Sequence, residues 1–169
     1  ATSVYLVDRT IPMPRARLSN GICSLRPNED KLTFSVVFTL DSEGQVKHYE
    51  IERTVIRSNF RLCYEEAQAI ILQKDEPEAI AEERKGLAEA LWALDGLAKQ
   101  LRKRRFEKGA IAFDREEVKF EIDENGKPLS VYFRTSEDAN KLIEEFMLLA
   151  NRTVATHVGK LLKKPFVYR

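Results

Sequence analysis

Histidine and cysteine are almost missing from this chain, and their scarcity removes several chemistries at once. His48 and His157 are the only histidines and lie far apart in sequence. No H-E-x-x-H zinc motif, no Walker A loop and no G-x-G-x-x-G turn occurs. Cys23 and Cys63 form no C-x-x-C pair, so they are expected as two buried thiols of a reduced cytosolic protein rather than a disulfide framework. There is no apolar run long enough to cross a bilayer, and the first residues lack the basic flank and apolar stretch of a secretory signal. Repeats and low-complexity tracts are also missing. Neither sign of charge dominates: 28 Lys plus Arg face 27 Asp plus Glu. That balance argues against a uniformly basic nucleic-acid glove but allows a local basic channel, because steering follows distribution rather than sum.

What is present is enough for one domain. The chain has 169 residues, 43% of them apolar and 33% charged, so a sizeable core can be buried. Tyr5 to Pro27, with Pro12, Pro14, Gly21 and Pro27, reads as a long irregular connection. Lys31–Leu40 reads as a strand, Asp41–Gly44 as a hairpin turn and Val46–Arg57 as the returning strand. Leu62–Leu72 reads as a short helix, broken by Gln73–Pro77. A long helix is predicted from about Glu78 to Glu107, with Leu87, Leu91, Leu94, Ala98 and Leu101 along one face. A second β unit follows: Ala110–Phe113, Glu117–Ile122, a turn around Asn125-Gly126, and Leu129–Arg134. A final helix is predicted from about Ser136 to Leu161, entered through Thr135-Ser136. The order β-β-α-α-β-β-α argues an α+β fold with mainly antiparallel sheet.

The charged clusters have structural explanations as well as functional ones. Glu65-Glu66, Glu82-Glu83 and Glu116-Glu117 fit solvated faces, and no D-x-D cluster for Mg²⁺ stands out. Arg102 to Arg105 suits the last turn of a helix through its dipole, or phosphate contact. On the last helix, Ala139, Leu142, Ile143, Phe146, Leu149, Ala150 and Val154 are expected to form the core stripe. Asp138, Lys141, Glu145 and Arg152 are expected in solvent. Asn140, Glu144 and Asn151 form a polar row at the stripe's edge, fitting either the lining of a cleft or hydrogen bonds to loops.

Two stretches carry a more specific signal. Thr2-Ser3-Val4-Tyr5-Leu6-Val7-Asp8-Arg9-Thr10-Ile11-Pro12-Met13 and Leu18-Ser19-Asn20-Gly21-Ile22-Cys23-Ser24-Leu25-Arg26-Pro27-Asn28-Glu29-Asp30-Lys31-Leu32-Thr33-Phe34-Ser35 resemble the RNB signature of the ribonuclease R and ribonuclease II family of exoribonucleases. So do Asp138-Ala139-Asn140 and Ile143 to Arg152 near the other end. The resemblance covers essentially the whole chain. It departs after Met13, where the family usually continues Leu-Pro-Glu and this chain has Pro14-Arg15-Ala16.

The resemblance implies processive 3′→5′ hydrolysis of single-stranded RNA to nucleoside 5′-monophosphates, assisted by Mg²⁺, in a cytoplasmic and monomeric parent enzyme with no membrane partner. It implies that residues 1–169 are an internal part of the catalytic domain. The metal-binding aspartates are expected before the Thr-Ser-Val-Tyr segment, and an arginine at the scissile region is expected beyond the last motif. The isolated chain is therefore expected to bind no metal and to be inactive. Four positions carry over as RNA contacts: Tyr5 and Tyr64 near the RNA 3′ end, Phe113 stacking on the terminal base, and Glu144 on the terminal ribose. Stacking tolerates any base, and a carboxylate on the 2′-hydroxyl separates RNA from DNA. The alternative is a non-catalytic RNA-binding or scaffold module on the same fold.

Overall fold

The computed structural model describes residues 3–6, 9–13, 15, 17–111, 117–123 and 127–166. It confirms an α+β fold, with three two-stranded sheets and three α-helices among the described residues. The chain divides into two compact units. Unit 1 is Ala1–Thr33, Val55–Arg61 and Phe113–Ser136, and unit 2 is Phe34–Thr54, Leu62–Ala112 and Glu137–Arg169.

Among its described residues, unit 1 is strand and turn. The proline-rich start is more ordered than its composition predicts. β1 (Val4–Tyr5) pairs antiparallel with β2 (Thr10–Ile11), and a π-helical turn spans Leu18–Ile22. β5 (Glu117–Ile122) and β6 (Pro128–Arg134) form an antiparallel ladder with a register shift at Glu121/Ile122. The expected strand Ala110–Phe113 does not form at Ala110 and Ile111; its remainder lies outside the described residues.

β3 (Asp30–Leu40) and β4 (Val46–Arg57) match the predicted hairpin. At its turn Gly44 takes φ +74° and donates its N–H to the Asp41 carbonyl, a left-handed conformation that strains any residue with a Cβ. The Asp41 carboxylate accepts the Gln45 N–H at 2.8 Å and Lys47 Nζ at 2.9 Å. These bonds, Lys47 first, hold its carboxyl below the ordinary carboxylate range.

The helices build the core of unit 2. α1 (Tyr64–Leu72) starts with a capping box, in which the Cys63 N–H donates to Glu66 Oε2 at 2.8 Å. α2 runs Lys85–Glu107 and α3 runs Asp138–Thr156, followed by a π turn at His157–Leu161. The predicted start of the long helix at Glu78 is too early. Pro77–Ala79 and Glu82–Arg84 are separate 3₁₀ turns, and Ile80 and Ala81 between them are extended. One cluster of buried side chains joins Ile71 of α1, Ala98 of α2 and Ala139 and Leu142 of α3. A second joins Ile70, Ile80 and Ala88, with Trp92 packed beside them. Trp92 Nε1–H donates to the Ile70 carbonyl at 2.8 Å, satisfying the indole inside this cluster.

Both cysteines are exposed and free, not buried as expected. Cys63 is placed by its capping role rather than by packing. The Glu66 N–H lowers its thiol, but the Glu66 and Glu65 carboxylates outweigh that and the net shift is upward, toward the unreactive protonated form.

Candidate functional site

The four residues singled out by motif fall in different settings. Tyr5 ends β1 in unit 1 and is 80% exposed. Val4 and Tyr5 face Ile11 and Thr10, and the Leu6 N–H donates to the Arg9 carbonyl at 2.8 Å. This short ribbon presents the phenol to solvent instead of packing it under a loop. Tyr64 is the first residue of α1 in unit 2 and is 41% exposed. Glu144 lies on α3, also in unit 2, with its side chain 49% exposed. Its polar partners are Arg105 Nη2 at 3.2 Å and Arg102 Nη1 at 3.9 Å, not Tyr64. Phe113 lies outside the described residues.

The glutamate next to Glu144 overturns one expectation. Glu145 is not in solvent; it is 3% exposed. Helix phase explains this: Glu145 stands three residues after Leu142 and four before Leu149, on their face. Glu144 stands on the opposite side from Leu142, and Ile143, placed in the core stripe by residue type, is 43% exposed. A carboxylate survives on the buried face because Arg105 reaches it from α2. Arg105 Nε donates to both Glu145 oxygens at 3.1 Å, and Nη2 donates to Oε1 at 2.6 Å. Arg102 Nη1 approaches the same oxygen at 3.5 Å. The bonds to Glu145 hold the Arg105 guanidinium still more firmly protonated than usual.

Other polar residues of α2 and α3 make contacts within unit 2. Asn140, first in the polar row, accepts the Glu137 N–H at 3.2 Å and so caps α3 instead of lining a cleft. In the basic run, Arg102 and Arg105 pair with α3, and Arg104 lies 3.5 Å from Glu43. Lys103 is exposed. The run mainly ties elements of unit 2 together.

The Arg102–Arg105–Glu144–Glu145 cluster was the feature that motif reading missed. Its signal was present as two arginines at i, i+3 on one helix and a glutamate doublet within the apolar stripe of another. Pairing them requires knowing that α2 and α3 pack side by side.

The described residues do not suit a resident Mg²⁺. No group of three or more His, Cys, Asp or Glu side chains among them converges as a metal site, whereas Mg²⁺ needs oxygen ligands in near-octahedral array. Among the described residues no helix is long and apolar enough to cross a membrane.

Comparison with known proteins agrees with the motifs. The RNB domain profile matches residues 1–169. The chain is 42% identical over 167 residues to DIS3-like exonuclease 2 of Schizosaccharomyces pombe, covering 95% of this chain and 18% of that protein. It is 42% identical over 154 residues to ribonuclease R of Aquifex aeolicus, covering 91% of this chain and 21% of that protein. Among solved structures it resembles Mycoplasma genitalium RNase R in complex with ribose methylated single-stranded RNA. That match has a TM-score of 0.80 at 27% identity, over 96% of this chain and 24% of the other. The chain thus spans about a fifth of the length of the relatives it matches. The profile match over residues 1–169 and these similarities agree, and the chain belongs to the RNB domain family.

Proposed function

We propose that this chain forms part of the catalytic domain of a 3′→5′ exoribonuclease that hydrolyses single-stranded RNA processively, and that it contributes residues holding the RNA 3′ end. The observation that carries the reading is the profile match along residues 1–169, together with 42% identity to a ribonuclease R. Tyr5 and Tyr64 offer aromatic surface to solvent, and Phe113 is assigned the stacking position on the terminal base. Glu144, half-exposed on α3, has an open edge from which to accept bonds from ribose hydroxyls, and an ionised carboxylate is acceptor-only. Mg²⁺ and its aspartates belong to other parts of the parent enzyme, which we place in the cytoplasm as a monomer.

Phe113→Ala tests the clamp in paired measurements on one variant. Loss of one stacked base weakens single-strand RNA binding by ~1–3 kcal/mol, about 5- to 150-fold. Loss of a core phenylalanine would instead cost ~3–5 kcal/mol of stability. A thermal melt and an RNA titration in metal-free buffer separate the two. A large fall in melting temperature with unchanged affinity would end the clamp reading.

A further inference from the structure

Within unit 2 a cavity of about 170 Å³ opens where the β3–β4 turn, the end of α2 and the middle of α3 meet. At ~30 Å³ per water this is room for roughly five waters, or a small hydrated anion. Arg104, Arg105, Lys108 and Arg152 line it, and Glu145 is its one carboxylate. That carboxylate is already committed, since Arg105 donates to both of its oxygens. Arg104 has only a distant, 70% exposed partner in Glu43. Lys108 and Arg152 have no ion-pair partner among the described residues. Lys108 follows the end of α2, where the helix dipole favours a cation, and Arg152 lies one turn before the end of α3; both side chains are exposed. Cations from two helices thus converge beside the hairpin turn on one small space, with too little negative charge to balance them. Leu101 and Leu149 add apolar wall to this space.

We propose that this cavity is an anion site for a phosphate group. Arginine forks and a lysine arriving from different directions suit the several oxygens of a tetrahedral phosphate better than the single plane of a carboxylate. The phosphate comes from a nucleic-acid backbone or from a free phosphate ion. The site does not depend on the 3′-end clamp, because none of the described clamp residues, Tyr5, Tyr64 and Glu144, lines it.

The test follows the backbone N–H signals of Gly44, Gln45 and Lys108 by NMR, using the 169-residue chain at fixed ionic strength. Inorganic phosphate is titrated in one arm and a short single-stranded RNA with hydroxyl ends in the other. The expected result is a saturable shift at these three residues that chloride does not reproduce. In the double variant K108Q/R152Q the phosphate Kd rises at least tenfold. The charge-matched control K74Q/K103Q changes two lysines elsewhere and stays within about twofold of the parent. A shift with both ligands makes the nucleic-acid backbone the source, and a shift with inorganic phosphate alone makes it the free ion. No saturable shift with either ligand, or equal loss in the two double variants, overturns the site. The shift is read on the unsubstituted chain, so a misfolded variant cannot hide its absence. Clamp failure is read separately, as unchanged RNA affinity in Phe113→Ala.

Discussion

Neighbouring glutamates on α3 have opposite energetics. Glu145 is buried and held closely by two arginines, whereas Glu144 pairs with the same two less closely from a half-exposed position. Truncating one partner of a buried ion pair leaves the other charge desolvated and unmatched, at a cost of ~3–5 kcal/mol. Exposed pairs contribute only ~0.2–1 kcal/mol. Glu145→Ala is therefore expected to lower stability several-fold more than Glu144→Ala in urea unfolding. Glu144→Ala should instead reduce preference for an RNA over a DNA 3′ end. Equal destabilisation by both variants would contradict the assignment. The sequence carried the phase of Glu145 all along, three and four residues from Leu142 and Leu149. Reading it as solvent-facing let residue type override periodicity, because the arginine that makes its burial tolerable lies on another helix.

At the scale of elements, α1 and α3 are joined by more than apolar contact. Gln68 is buried on α1, and its Oε1 accepts the N–H of Ala139 in the first turn of α3 at 2.9 Å. A residue of one helix thus satisfies a backbone donor that the next helix cannot satisfy itself. Gln68→Ala should cost ~1–3 kcal/mol, since it leaves a buried N–H unpaired. Gln68→Glu keeps an acceptor there and should cost less above the carboxylate range. A thermal melt in which the two variants match would show that the bond has no consequence. Strands and helices with strong patterning, β3, β4, α1 and α3, were legible in sequence to within a few residues. The start of α2 was not. Glu78 to Arg84 has good helix formers, but Pro77 and the burial of Ile80 impose 3₁₀ turns and an extended break. Long-range ties such as Gln68 to Ala139 have no local signature at all.

Across the molecule, burial is uneven. Every buried apolar side chain among the described residues, from Ile70 to Ala155, belongs to unit 2. Unit 1 instead exposes Leu32 at 88% and Phe133 at 65%. Local stability follows buried contacts, so amide hydrogens of β5 and β6 should exchange orders of magnitude faster than those of α2 in the isolated chain. Mass-spectrometric exchange with equal protection in β6 and α2 would refute this. The same 169-residue polypeptide is expected to release no 5′-monophosphates from single-stranded RNA with Mg²⁺ present, because its described carboxylates form no metal cluster. Robust Mg²⁺-dependent release would show that the metal site is built from residues given no such role above.

The single tryptophan of the chain has an optical consequence. Trp92 is packed with the Ile70 cluster and donates to the Ile70 carbonyl, so its emission reports on the seam between α1 and α2. Parting that seam would wet the indole and move its fluorescence to longer wavelength. Excitation at the red edge, where tyrosines do not absorb, would then follow this one junction through unfolding without any added label.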